Sequence, residues 1–277
     1  MNDAIFRFYP APFEEVPLRG IYLAHRVHEL GSAERPFVYA NFVSSLDGRI
    51  ALQDTDEGQS YVPTALTTAH DFRLFLELQA QADCLITHAA YLRSVADQRL
   101  DDILQIGTRP ETRDLGEWRA AQNLPAQPAV VVASASLDFV IPESLAKHRQ
   151  RVYVATTRKA DARKVARLQA LGYEIVIAGE NTYVEGRALV QALGGMGFRT
   201  LYLLAGPIML GTMLRQRMLS RFYITVAHRV IAGDRFHTVV EGPPLDDAGR
   251  MELGSAYYDP PSSSRAGQFF LQFRPST

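Results

Sequence analysis

Asn41, Ser45, Asp47 and Gly48 follow one another closely along an apolar stretch that runs from Phe37 to Val43. Together they offer an amide, a hydroxyl and a carboxylate at the end of what reads as a buried strand. Asp47-Gly48 is a turn signal, and the strand resumes at Arg49-Ile50-Ala51. Open α/β sheets place ligands at the carboxyl ends of their strands, so this turn is a candidate site. Two plainer roles stay open. Asn41 could satisfy a backbone group at the strand end, and Asp47 could close the turn through an Asx hydrogen bond.

Other groups recur in the same context, just after an expected strand. Thr87-His88-Ala89-Ala90-Tyr91-Leu92-Arg93 follows one, and Leu204-Ala205-Gly206-Pro207 follows another. The second has the strand-turn-helix context in which a phosphate meets a helix N-terminus. Ser134 and Ser136 follow a third strand, and Thr156-Thr157-Arg158-Lys159 a fourth. Hydroxyls beside cations suit a phosphate; a solvated helix start explains Arg158 and Lys159 equally well. Gly58-Gln59-Ser60 is a ligand-facing loop or a plain polar one.

The elements that must position these groups alternate. Strands are expected over 38–43, 83–87, 129–133, 151–155, 174–178, 200–204 and 221–227. Helices are expected over 67–80, 142–148, 161–171, 184–196 and 211–219, with Gly172 as a C-terminal cap. Residues 94–127 read as a long connection. Residues 1–34 read as an irregular lead-in broken by Pro10, Pro12 and Pro17, with a short helix over 22–30. Alternating runs at 251–257 and 268–273 predict a terminal antiparallel hairpin. Repeated β-α-β units predict an α/β fold with a largely parallel sheet, made mixed by the hairpin.

The 277 residues are 47% hydrophobic, enough for a sizeable core. A net charge of −1 argues against nucleic acid as a partner. Cys84, the single cysteine, reads as a small buried hydrophobe and fits a reducing cytoplasm. No signal-peptide pattern or membrane-length apolar run is present, so a cytoplasmic protein without a membrane partner is expected. Metal-ligand spacing, a Walker loop, a Gly-x-Ser-x-Gly elbow, a kinase signature and a zinc-deaminase motif are all absent.

The strand with its Ser45-Leu46-Asp47-Gly48 turn and Arg49-Ile50-Ala51 resembles the opening signature of the riboflavin-biosynthesis pyrimidine reductases. The resemblance extends from about Arg35 to Phe273, and Gly206, Pro207, Gly211 and Arg93 match further family positions. It implies a single domain over 35–277, a dihydrofolate-reductase-like three-layer α/β/α sandwich. It also implies NADPH as cofactor and a phosphorylated pyrimidine as substrate, with hydride passing to ribose C1′ through the ring-opened imine. The implied catalytic set is Asn41, Asp47 and Asp97, with Asn41, Ser60, Arg93 and Arg99 on the substrate. His88, Ala89, Ser134, Ser136, Thr156, Thr157, Gly206, Pro207, Ile208 and Met209 would meet the cofactor. A homodimer is implied too, with the terminal hairpin as an exposed edge for pairing.

The chain departs from the family pattern in two places. His88, Ala90 and Tyr91 replace two glycines and a threonine of a loop that lets backbone approach the dinucleotide. Leu204 and Ala205 replace the Glu and the first Gly of Glu-Gly-Gly-Pro. These changes keep two alternatives in view: a reductase of another pyrimidine or pteridine-like substrate, and a binding module that has lost the cofactor loop.

Overall fold

A computed structural model describes residues 4–54, 60–263 and 265–276. In chain order the elements are β1 (Ala4–Tyr9), β2 (Glu14–Pro17), β3 (Phe37–Ser44), β4 (Arg49–Gln53), β5 (Ser60–Tyr61), α1 (Ala69–Gln79) and β6 (Cys84–His88). Next come α2 (Ala89–Ala96), α3 (Arg113–Ala121), β7 (Ala129–Ala133), α4 (Glu143–Lys147), β8 (Val152–Thr156), α5 (Ala162–Ala170) and β9 (Glu174–Ile177). The chain closes with α6 (Gly186–Gly195), β10 (Thr200–Leu203), α7 (Pro207–Arg215), β11 (Arg221–Ala227), β12 (Phe236–Thr238), β13 (Met251–Asp259) and β14 (Gln268–Pro275). The class is α/β, with mixed, mostly parallel strand pairing.

Two compact units divide the chain. One holds Arg26–Val38 and Leu76–Ala205. Its strands run in the order β10-β6-β7-β8-β9, all parallel. Val130, Val131 and Val132 of β7 are fully buried, as β-branched residues of an inner parallel strand should be. Asp161 caps α5 by accepting from the Arg163 and Lys164 amides, and Gly172 just beyond the helix takes φ +87°. Arg119 of α3 is fully buried and donates to the carbonyls of Ala80 (2.7 Å), Ala82 (3.0 Å) and Pro125 (2.8 Å). It thereby fixes the connection from α1 into β6.

The other unit holds the chain up to His25, Tyr39–Phe75, and everything from Gly206 on. Its strands run β2-β1-β13-β14-β11-β3, and a small second sheet runs β12-β4-β5. β13 and β14 form the expected hairpin, and β11 pairs in parallel with β3.

Several expectations need correction. Residues 4–9 and 14–17 are strands, not an irregular lead-in; the prolines at 10 and 12 fall between them. β1 pairs with β13, so the terminal hairpin offers no free edge for dimer pairing. The edge in this unit is β2, four residues long, carrying Glu14, Glu15 and Pro17, which disfavour edge-to-edge association. Residues 22–30 hold two short 3-10 turns instead of a helix. The 94–127 connection contains α3. The helix expected at 211 begins at Pro207, because proline at the first helical position lacks only an amide that would go unpaired anyway. Among the described residues no helix is long and apolar enough to cross a membrane.

Candidate active site

In the parallel unit, backbone pairing continues past the strand ends. Leu204 N donates to Ile86 O (2.8 Å), Ser134 N to Ala155 O (2.9 Å), Ala178 N to Thr156 O (2.8 Å) and Arg158 N to Gly179 O (2.8 Å). The carboxyl ends therefore form one continuous ledge. By register, Thr87, Ser134 and Thr156 share one face of it. The hydroxyls of Thr87 and Thr156 are buried and have no partner among the described residues. Ser134 Oγ accepts from Leu137 N (2.9 Å), which leaves its proton free to donate.

The segment expected as an altered cofactor loop is helical from Ala89. His88 is its N-cap, its Nδ1 accepting from Tyr91 N at 3.4 Å. Helix-forming alanines and a side-chain cap have replaced glycine flexibility. Burial, reinforced by the nearby Arg93 charge, lowers the His88 pKa to about 4. The ring is therefore neutral near pH 7, and with Nδ1 accepting, Nε2 carries the proton and can donate to an anion. Tyr91 is turned to the 101–103 segment, donating to Asp101 O (3.1 Å) and accepting from Ile103 N (2.9 Å).

Ala205 keeps an ordinary backbone, so the lost glycine there introduces no strain. Gly206 caps α7 without a side chain, Pro207 follows at the first helical position, and a Cβ at Gly206 would meet nothing within 4 Å. Ile208 and Met209 lie in the first turn. Within the parallel unit, hydroxyls without partners among the described residues and the start of α2 fit a phosphate of a dinucleotide. At the outer ledge, Lys164 Nζ donates to Ser136 O (2.9 Å). Arg158 makes an exposed two-point pair with Glu180 at 2.9 and 3.2 Å. Thr157 is buried beside them.

In the mixed unit, Asp47 works as a fastener. Its carboxylate accepts from Arg49 Nη1 (2.7 Å), Ala232 N (2.9 Å) and Ile231 N (3.3 Å). The Ser45 hydroxyl first, then these amides, hold its pKa at about 2. Gly48 takes φ +81°, a conformation that glycine adopts without penalty. Ser60 Oγ lies 2.8 Å from His237 Nε2. Gly58 and Gln59 lie outside the described residues.

Asn41 sits on β3 opposite Tyr223 of β11, and its Oδ1 is buried with no partner among the described residues. Val43 is opposite Thr225, so Asn41 and Thr225 share one face. Thr225 hydrogen-bonds Asp71 of α1, whose side chain is almost wholly buried. Asp71 Oδ1 also lacks a partner among the described residues, and burial raises this carboxyl to about 6. Sequence reasoning missed Asp71. Thr68-x-x-Asp71 reads as an ordinary capping box, and Thr68 Oγ1 does accept from Asp71 N at 3.0 Å. The carboxyl, however, turns inward.

The remaining expected residues lie elsewhere. Arg93 Nη1 donates to Asp138 O (2.7 Å). Asp97 caps the far end of α2 and is ion-paired with Arg99, about 13.5 Å along the helix axis from His88 at 1.5 Å per residue. Among the described residues no cluster of His, Cys, Asp or Glu could hold a metal ion.

The buried ionisable groups predict a pH dependence of stability. His25 and His88 both fall to about 4 from 6.5, mainly through burial. Their contribution is complete above pH 6.5 and is lost as pH falls toward 4. Asp71, raised to about 6 from 3.8, acts oppositely, its contribution being lost as pH rises from 3.8 to 6. Between pH 6 and 4 the unfolded chain binds two more protons at the histidines and one fewer at Asp71. Stability should therefore fall by about 1.4 kcal/mol per pH unit on acidification. Thermal melts at pH 6 and 5 check this; a higher melting temperature at pH 5 contradicts it.

Residues 36–260 match the family model described as the RibD C-terminal domain. A curated relative from Archaeoglobus fulgidus, 2,5-diamino-6-ribosylamino-4(3H)-pyrimidinone 5′-phosphate reductase, is 25% identical over 218 residues, 79% of this chain and 92% of its own. A pyrimidine reductase-like protein from Corynebacterium diphtheriae has a similar structure, with TM-score 0.64, 18% identity, and 87% and 92% of the two chains covered. The riboflavin biosynthesis reductase of Saccharomyces cerevisiae aligns with TM-score 0.57 and 13% identity over 93% of this chain and 99% of its own. The ledge, the Ser-Leu-Asp-Gly turn and a match over most of the length agree: the chain belongs to the RibD C-terminal domain family.

Proposed function

We propose that this protein is an NADPH-dependent reductase of a phosphorylated ribosylamino-pyrimidine, forming the ribitylamino product by hydride transfer to ribose C1′. The observation that carries this reading is the pair of buried acceptors, Asn41 Oδ1 and Asp71 Oδ1, left without donors among the described residues. An unsatisfied buried acceptor costs about 1–3 kcal/mol, so such a pair calls for a ligand that brings donors. An aminopyrimidine presents N–H groups around its ring.

The bound cofactor supplies the hydride. His88, Ala89, Ser134 and Thr156 are proposed to hold its phosphates and ribose, and Ser136 and Thr157 its adenosine end. Asn41 orients the pyrimidine. Asp71, titrating near solution pH, holds or releases a proton at a ring nitrogen. Asp47 positions the turn beneath Asn41; its carboxylate is already committed.

Two acceptors select the pyrimidine richer in N–H donors. The 2,5-diamino-pyrimidinone named for the archaeal relative should therefore be reduced more efficiently than 5-amino-6-(5-phosphoribosylamino)uracil. NADPH consumption with each compound tests the proposal. Consumption with neither, despite cofactor binding, would favour the binding-module alternative suggested by the helical segment that begins at Ala89.

Cofactor choice gives a further prediction. A 2′-phosphate reaching Arg158 must compete with Glu180. Solvent screens an exposed pair of this kind, so Glu180 holds Arg158 only weakly. Glu180→Gln is expected to tighten NADPH about 2–5-fold and to leave NADH unchanged. Fluorescence titration with both nucleotides checks it; equal effects on both would contradict the role of Arg158.

A further inference from the structure

The small sheet β12-β4-β5 brings together three groups that neither the family match nor the proposed reduction employs as a unit. His237 Nε2 lies 2.8 Å from Ser60 Oγ, and His237 Nδ1 lies 2.6 Å from Glu241 Oε1. A hydroxyl, an imidazole and a carboxylate in that order, each at hydrogen-bonding distance, form the geometry that activates a serine. The carboxylate fixes the tautomer. With the Nδ1 proton held by Glu241, Nε2 is the acceptor and faces the serine. The side chains of His237 and Glu241 are 27% and 31% exposed, and Ser60 is open to solvent, so a substrate can reach them.

A fourth group completes the set. Gln53 Nε2 lies 3.0 Å from the same His237 Nε2. While the ring is neutral, the Gln53 amide shares the single Nε2 lone pair with the Ser60 hydroxyl. Once Nε2 takes the serine proton, that nitrogen no longer accepts, and the amide is released beside the reacting centre. It is then free to donate to an oxyanion. Exposed Tyr61, Val62 and Phe236 give the surroundings apolar surface.

We infer that Ser60, His237 and Glu241 form an acyl-transfer site that hydrolyses small apolar esters. Ser60 Oγ bonds to the ester carbonyl carbon while its proton passes to His237 Nε2. The carbon–alkoxy bond breaks, and the alcohol leaves with that proton. Water then attacks the acyl-serine, giving its proton to Nε2; the acyl–Oγ bond breaks, and the proton returns to Ser60. The rival account is that these side chains only fasten β5 to β12, with a serine no more reactive than any other.

The test uses the full chain without NADPH, which separates it from the reductase reading. A fluorophosphonate probe is applied, the labelled residue is located by peptide mass spectrometry, and hydrolysis of p-nitrophenyl acetate is followed in parallel. Labelling at Ser60 in the wild-type protein is expected, with hydrolysis falling at least tenfold in Ser60→Ala and severalfold in Glu241→Gln. No labelling, labelling elsewhere, or undiminished hydrolysis by Ser60→Ala overturns the inference. Because the labelled position is read on the wild-type protein, the outcome does not depend on any variant folding.

Discussion

Asp71→Asn is expected to slow reduction about 100- to 1,000-fold, within the range assigned to loss of a positioned acid or base, while making the protein more stable above pH 6. The two effects have one cause. Burial raises the carboxyl from 3.8 to about 6, so above pH 6 the folded chain carries an ionised group in a poorly solvated place. That difference corresponds to about 3 kcal/mol. Asparagine preserves the shape and the contact with Thr225 but has nothing to ionise. Losing a charge near the start of α1 gives back about 0.5–1 kcal/mol, so a net gain of about 2 kcal/mol is expected. It also presents two N–H donors where the ligand needs an acceptor. A residue kept only for folding would not show this opposition. Turnover and urea denaturation of the same preparation check it. Undiminished turnover, or a less stable variant, contradicts the role given to Asp71.

Arg119→Ala is expected to destabilise the fold by about 4 kcal/mol. The guanidinium is fully buried and serves the carbonyls of Ala80, Ala82 and Pro125. Truncation leaves the buried carbonyls of Ala80 and Ala82 without this donor, each costing about 1–3 kcal/mol, and frees the part-buried Pro125 carbonyl to water. Arg119→Lys should recover less than half of the loss. A single ammonium cannot reproduce a fork that reaches carbonyls in two directions. Denaturant melts of both variants give the answer; a loss below 1 kcal/mol for alanine would show that the carbonyls find other partners. Ala80 and Ala82 lead into β6, so the alanine variant should also weaken cofactor binding at the strand's other end.

The parallel unit was legible because its signals are local and redundant. Val130–Val132, the Asp161 cap and Gly172 each point to the same element as their neighbours. The N-terminal strands were not legible. β1 is six residues long, ends at a proline pair, and owes its conformation to pairing with β13, far away in the chain. α2 was hidden by the family pattern, in which its first turn is a glycine loop; Ala89 and Ala90 stated the helix plainly. Within the candidate site, Asn41 and the Ser45–Gly48 turn were readable from residue type and position. Asp71 was not, because a capping box looks the same whether its carboxyl faces water or the interior. His237 and Glu241 gave no sequence signal toward Ser60, since only the folding of β12 onto β4 brings them together.

Titration of the protein with NADPH, followed by isothermal calorimetry, tests the central claim most directly. The account predicts saturable binding of one nucleotide per chain, displaced by adenosine 2′,5′-bisphosphate. A flat titration at millimolar NADPH would contradict it, because the ledge running from Thr87 to Thr156 would then hold no dinucleotide.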